Sequence, residues 1–318
     1  MPDPKYSHVL SAVLSSSWAM LPEQCDVLAR VLVHRMSGGT PDANLFDAFE
    51  AATDHDRRAW YTAGTVGVLP LTGTIFPKAN IMTQMSGATS IERWISEFET
   101  MIADDSVQSV VLDIDSPGGS VWGIAEASER FNAAKNGKPI VAVSNYLCAS
   151  AAYWIASQAD EIVASPSSIT GSIGVYAMHQ SMQRAMVEAG VDLSIIVAGQ
   201  YKAERSPALQ LTEGARAELQ TEVNEDYDDF IKAVAKGRGI RASRVKSDYG
   251  EGRAYTSRRA LDRGMVDRIA SLRDTIERLQ GSGSAGRKPK RRSESETPEA
   301  ATVSAEAMSA MMIRGPKE

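Results

Sequence analysis

The sequence predicts an α/β protein built on a largely parallel sheet. Strand-like and helix-like segments alternate from about Val66 to Arg238, the pattern of βα units. Two strand-like runs, at 107–115 and 138–143, lead into turns of small residues at which a helix begins. Apolar residues make up 43% and charged residues 23% of 318, enough to bury a large core.

Residues 1–62 read as a helical N-terminal extension. PEQCDVLARVLVHRM carries Cys25, Val27, Leu28, Val31, Leu32 and Val33 between Pro22 and Gly38-Gly39, a helix-compatible pattern with breakers at both ends. The predicted main domain spans 63–280. In it VGVLPLTGTI (66–75) reads as a strand pair or a bent strand with a turn. SIERWISEFETMIADD (90–105) reads as an amphipathic helix with Ile91, Trp94, Ile95, Phe98, Met101 and Ile102 on one face. VQSVVLDID (107–115) is a strand, GIAEASERFNAAKNG (123–137) a helix ended by Gly137, and PIVAVS (139–144) a strand. A helix follows Ser150. EIVASP (161–166), GSIGVYA (171–177) and DLSIIVA (192–198) read as strands, with a short helix in QRAMVEAG (183–190). A long helix covers 212–239, where Thr212 and Glu213 suit a helix start.

At Gly281 the composition turns Gly/Ser-rich, then basic, then polar. Such a stretch cannot bury enough apolar surface to order itself, so 281–318 is expected to be a disordered tail, open to scaffold-like attachment or partner binding. Its basic block RKPKRR (287–292) reads first as a solvated linker and second as an electrostatic contact with nucleic acid or an acidic partner.

The net charge of −6 argues against general nucleic-acid affinity. Two cysteines, Cys25 and Cys148, suit a reducing compartment and supply no metal-site spacing. No apolar run approaches membrane-spanning length, and the start lacks a signal-peptide pattern. The expectation is a soluble, cytoplasmic protein with no cofactor, metal or membrane partner.

Chemistry concentrates in two stretches. NYLCASAAYWIASQAD (145–160) sets one hydroxyl, Ser150, among alanines where a strand becomes a helix. Close packing of helix on sheet explains the small residues. A sharper reading makes Ser150 a nucleophile whose helix-start N–H groups face a developing oxyanion. LDIDSPGGSV (112–121) ends a strand in Pro117, Gly118 and Gly119. A simple turn needs one glycine; two after a proline suggest exposed N–H groups facing a bound carbonyl. Neighbouring parallel strands would bring both stretches to one sheet edge, where such folds bind ligands.

A serine hydroxyl needs a base. Of His8, His34, His55 and His179, only His179 follows Ser150 within the α/β region; Asp160, Asp192 or Asp226 would orient it in a triad. The other candidate is a lysine held neutral by burial, and VAGQYKAERSP (197–207) offers Lys202 after a predicted strand. The residues alone leave both open.

DIDSPGGSV, NYLCASAAYWIASQADEIVASPSSITGSIGV, GQYKAERSP and GRAYTSRRALDRGMVDRI (252–269) occur in that order. Together they resemble the signal peptide peptidase A family of serine proteases over roughly residues 63–270. The resemblance implies a Clp protease/crotonase-like fold of repeated β-β-α units in a superhelical core. It implies a Ser–Lys dyad with Ser150 as nucleophile and Lys202 as base, and Ser172 hydrogen-bonded to the lysine amine. Gly118 or Gly119, with Ala151, would form the oxyanion hole. Two departures stand out: Ala151-Ala152 replaces the family's Gly-Gly, and the typical bacterial member's membrane anchor is missing. The phage head maturation protease branch, whose opening YSHVLSAVLSSSWAMLPEQCDVLARVL also resembles, fits better. That branch implies phage capsid and scaffold proteins as substrates, self-cleavage, a homo-oligomer, and action in the bacterial host cytoplasm within the assembling prohead. A non-catalytic assembly or scaffold protein on the same fold is the reading from a different class.

Overall fold

A computed structural model describes residues 17–22, 60–78 and 88–281. His8, His34, His55, Cys25, most of the expected N-terminal helix and the tail beyond 281 with its basic block lie outside the described residues.

The main sheet runs in the order β12 (Ala254–Thr256), β10 (Ile169–Gly171), β8 (Ile140–Ala149), β6 (Ser109–Ser116), β3 (Val66–Thr72), β2 (Tyr61–Ala63). Its four inner strands are mutually parallel, and only the edge strands β2 and β12 pair antiparallel. A parallel branch, β9 (Glu161–Ala164) and β13 (Arg268–Ile269), leaves β8. A second sheet has the order β11 (Tyr176–Ala177), β1 (Ser17–Met20), β7 (Gly118–Ser120), β4 (Ile75–Phe76), β5 (Thr89–Ser90).

A unit recurs. A long strand in the main sheet turns into a short strand in the second sheet, and a helix returns. β3 and β4 precede α1 (Ile91–Ala103), β6 and β7 precede α2 (Ile124–Ala134), and β10 and β11 precede α4 (Gln183–Glu188). This is the repeated β-β-α arrangement expected from the resemblance. Between the last two units, β8 passes directly into the short helix α3 (Ala151–Ala156).

Burial follows the pleat. On β6, Val110, Leu112 and Ile114 face the helices, while Val111 faces away and packs with Val66, Val68, Val141, Val143 and Val163. Leu272, Ile276 and Leu279 of α6 (Leu272–Gly281) cover that second face, so the sheet is shielded on both sides. Ser90 caps α1 by accepting from Arg93 N, and the predicted apolar face is buried. There Phe98 and Phe131 stack at 4.3 Å, both fully buried. Phe131→Ala should lower stability by about 3–5 kcal/mol through lost transfer energy plus a cavity, read as the shift of a urea-unfolding midpoint. α5 (Glu213–Arg238) is the predicted long helix, with Thr212 accepting from Ala215 N and Gly239 ending it at φ 65°.

Three expectations need correction. Ser17–Met20, inside the expected helical extension, is a strand of the second sheet, with all four residues buried; it completes a ladder on both sides that no helix would satisfy. DLSIIVA is not a strand: 191–197 has no regular structure. Ile196 is 97% exposed and Val191, Leu193, Ile195 and Val197 are also exposed. Strand propensity acts through packing and pairing, and this segment has neither. GSIGVYA divides into β10 and β11 rather than forming one strand.

Candidate active site

Parallel β8 and β10 end side by side, with Ala149 opposite Gly171. The next residue on each strand is a serine, and both serines hold a positive φ, 56° at Ser150 and 54° at Ser172. Such values are uncommon for a residue with a Cβ and persist only where the surroundings enforce them. At Ser150 the enforcing contacts are visible. Its N–H donates to Gly171 O at 2.7 Å, and its carbonyl accepts from Trp154 N at 3.0 Å, opening α3. Ser172 N donates to Arg253 O at 2.9 Å.

Among the described residues the Ser150 Oγ makes one hydrogen bond, a long one of 3.4 Å to Gly174 O, which leaves it available for chemistry. The residue is fully buried. Cys148, two residues earlier, is buried too, and burial pushes its thiol up; without thiolate it is no rival nucleophile.

Gly118 follows Pro117 at φ 94°. A Cβ there would lie 3.0 Å from Ala151 N, 2.9 Å from Ala149 O and 2.2 Å from Ala19 O. One small volume thus gathers the Gly118 backbone, the first N–H of α3 and a carbonyl of β1, which is why no side chain fits there. Gly118 N donates to Ser116 Oγ at 3.2 Å, and Ser116 Oγ donates to Gly73 O at 2.7 Å. That leaves Gly119 N, in the β7 ladder, and Ala151 N, which as first helical residue has no intrahelical acceptor, as the candidate oxyanion donors. A Cβ on Gly119 would strike the Ile75 backbone, so both glycines are sterically required.

Lys202 is placed elsewhere. It lies exposed on a turn, its N–H donating to Gly199 O at 3.0 Å, and lines an open surface pocket with Ile195, Val197, Tyr201 and Arg205. Among the described residues it makes no hydrogen bond to Ser150 or Ser172. The expected delivery of Lys202 by a strand fails because 191–197 joins no sheet.

His179 fares no better as a base for Ser150. Its Nε2 lies 3.3 Å from Ser206 O, and among the described residues no carboxylate bond orients it. Asp160 accepts from Ile140 N at 3.0 Å, Asp192 is exposed, and Asp226, raised by burial, is hydrogen-bonded to Ser17.

The residue group that sequence reasoning missed is β1. Its four residues run antiparallel to β7, Trp18 opposite Ser120, Ala19 opposite Gly119 and Met20 opposite Gly118, and antiparallel to β11 on the other side. The break at Ser15-Ser16-Ser17 and the β-prone Trp18 were the available signals.

Residues 132–284 match the family described as Peptidase family S49. The chain is 27% identical over 219 residues to the capsid assembly protease C of Escherichia phage lambda, covering 69% of this chain and 49% of that protein. It is 27% identical over 283 residues to the head-tail preconnector protein GP5 of Enterobacteria phage P21, covering 85% and 56%. Protease 4 of Haemophilus influenzae is 29% identical over 248 residues, covering 76% and 39%. The chain spans about half the length of the curated relatives it matches.

Proposed function

We propose that this chain, a relative of the signal peptide peptidase A-like and phage capsid proteases of peptidase family S49, is a serine endopeptidase that processes capsid or scaffold proteins during phage head assembly. The observation that supports it best is Ser150. It is held at φ 56° at the start of α3, in a cradle shared by the Gly118 backbone and Ala151 N.

In this reading Ser150 Oγ attacks the scissile carbonyl, and neutral Lys202 takes its proton. The N–H groups of Gly119 and of Ala151 receive the oxyanion. Lys202 returns the proton to the leaving amine, and water then releases the acyl group. Removing one oxyanion donor typically costs about 10²–10³ in rate. Lys202 starts on an exposed turn, so the reading requires the segment carrying it to move before Nζ reaches Ser150. The exposed side chains of Val191, Leu193, Ile196 and Tyr201 nearby suit contact between copies, and we place homo-oligomer assembly there. Among the described residues no helix is long and apolar enough to cross a membrane. We place the site of action in the host cytoplasm, within the prohead.

Co-expression with a phage capsid operon, followed by mass spectrometry, tests the substrate class. Ser150-dependent cuts in capsid or scaffold protein are expected; cuts confined to unrelated unfolded proteins would remove the assembly role. Ser172→Ala should cost on the order of 100-fold in kcat, the scale of a mispositioned catalytic group, and less than loss of Ser150. Equal losses would mean that the nucleophile has been misassigned.

A further inference from the structure

The strand β1 lies where an extended substrate would lie, and the geometry points to the chain as its own first substrate, cut by Ser150 at the Ala19–Met20 bond. This rests on the peptidase reading above and adds a site to it.

Strand addition is a general way for a protein to hold an extended peptide: backbone bonds to a sheet edge align it, and alternate side chains fill pockets. β7 is a three-residue strand, Gly118–Ser120, beside the nucleophile, with β4 on one side. Its other side is taken by Ser17–Met20. Leu21 N donates to Pro117 O at 3.1 Å, and Val121 N donates to Ser17 O at 3.3 Å. An antiparallel ladder alternates bonded and non-bonded pairs, so Ala19 shares the bonded phase and turns its carbonyl toward β7. That carbonyl oxygen is the atom 2.2 Å from the position a Gly118 Cβ would take, with Ala151 N 3.0 Å from the same point. Of the carbonyls in β1, Ala19 O is thus the one gathered with the proposed oxyanion donors.

The flanking side chains behave as pocket fillers. Trp18 is 2% exposed and meets Phe76 edge-on at 6.0 Å; Met20 is also buried. Ala19, at the carbonyl itself, is small enough to sit against the two glycines. Ser150 is fully buried and β1 occupies the β7 edge, so a second peptide cannot add to that edge until β1 leaves.

The step balances as an ordinary acyl transfer. Ser150 Oγ forms an ester with the Ala19 carbonyl carbon, and its proton passes by way of the base to the Met20 nitrogen as the Ala19–Met20 bond breaks. Water then hydrolyses the ester, restoring the Ser150 hydroxyl and leaving a carboxylate on Ala19.

Full-length wild type and Ser150→Ala should be purified in parallel, followed by intact mass and N-terminal sequencing over time, with casein hydrolysis measured on the same samples. The expected result is a new N-terminus at Met20 in wild type only, with casein hydrolysis rising as that species accumulates. Casein hydrolysis at full rate from the start, with Ala19–Met20 intact, overturns this inference and leaves the peptidase reading standing. So does a cut at Met20 that Ser150→Ala shows equally, or self-cleavage only elsewhere. A wild type that cuts neither casein nor itself removes the peptidase reading, and this inference with it.

Discussion

Ser150→Ala should reduce peptide-bond hydrolysis by several orders of magnitude, to the residual level that binding and oxyanion contacts alone provide, and should leave the fold intact. The structural cost is small because the hydroxyl does little structurally. Its one hydrogen bond among the described residues is 3.4 Å long, at the limit of a hydrogen bond. The backbone bonds that hold φ at 56°, to Gly171 O and from Trp154 N, do not involve the side chain. Alanine already occupies 149, 151 and 152, so the site accommodates one more methyl. Casein hydrolysis and a thermal melt on the same preparation separate the two effects. Normal hydrolysis would remove Ser150 from the mechanism, while a collapsed melting temperature would make it a structural residue.

The legible parts of this site are those whose local chemistry dictates their local shape. SPGG could be read because a backbone at φ 94° with no room for a Cβ admits glycine. Ser150 could be read because it interrupts a run of small residues between a strand and a helix. β6, β8 and α1 were legible because their patterns match the faces they bury. β1 was not, since four residues carry no period, and what makes them a strand is a partner, Gly118–Ser120, far along the chain. The opposite error at 191–197 has the same root. Apolar, β-prone residues predict a strand, yet among the described residues they pair with no strand, and Ile196 stands in solvent. Lys202 inherits that error, because its expected place depended on the strand before it.

Lys202→Arg should therefore be the sharpest test of the base, and it should be nearly as inactive as Lys202→Ala. Arginine keeps the positive charge and most of the reach, but it is always protonated and cannot accept the serine proton. A positioned general base contributes about 10²–10⁴ in rate, so losses of that size are expected in kcat for both variants. Neither should shift the melting temperature, because Lys202 is exposed and its side chain makes no hydrogen bond among the described residues. His179→Ala should retain activity, because its ring meets Ser206 O and, among the described residues, no orienting carboxylate. An active Lys202→Arg with an inactive His179→Ala would reverse the assignment. It would also mean that the turn carrying Lys202 need not move, which makes this pair of variants a test of the motion as well as of the base.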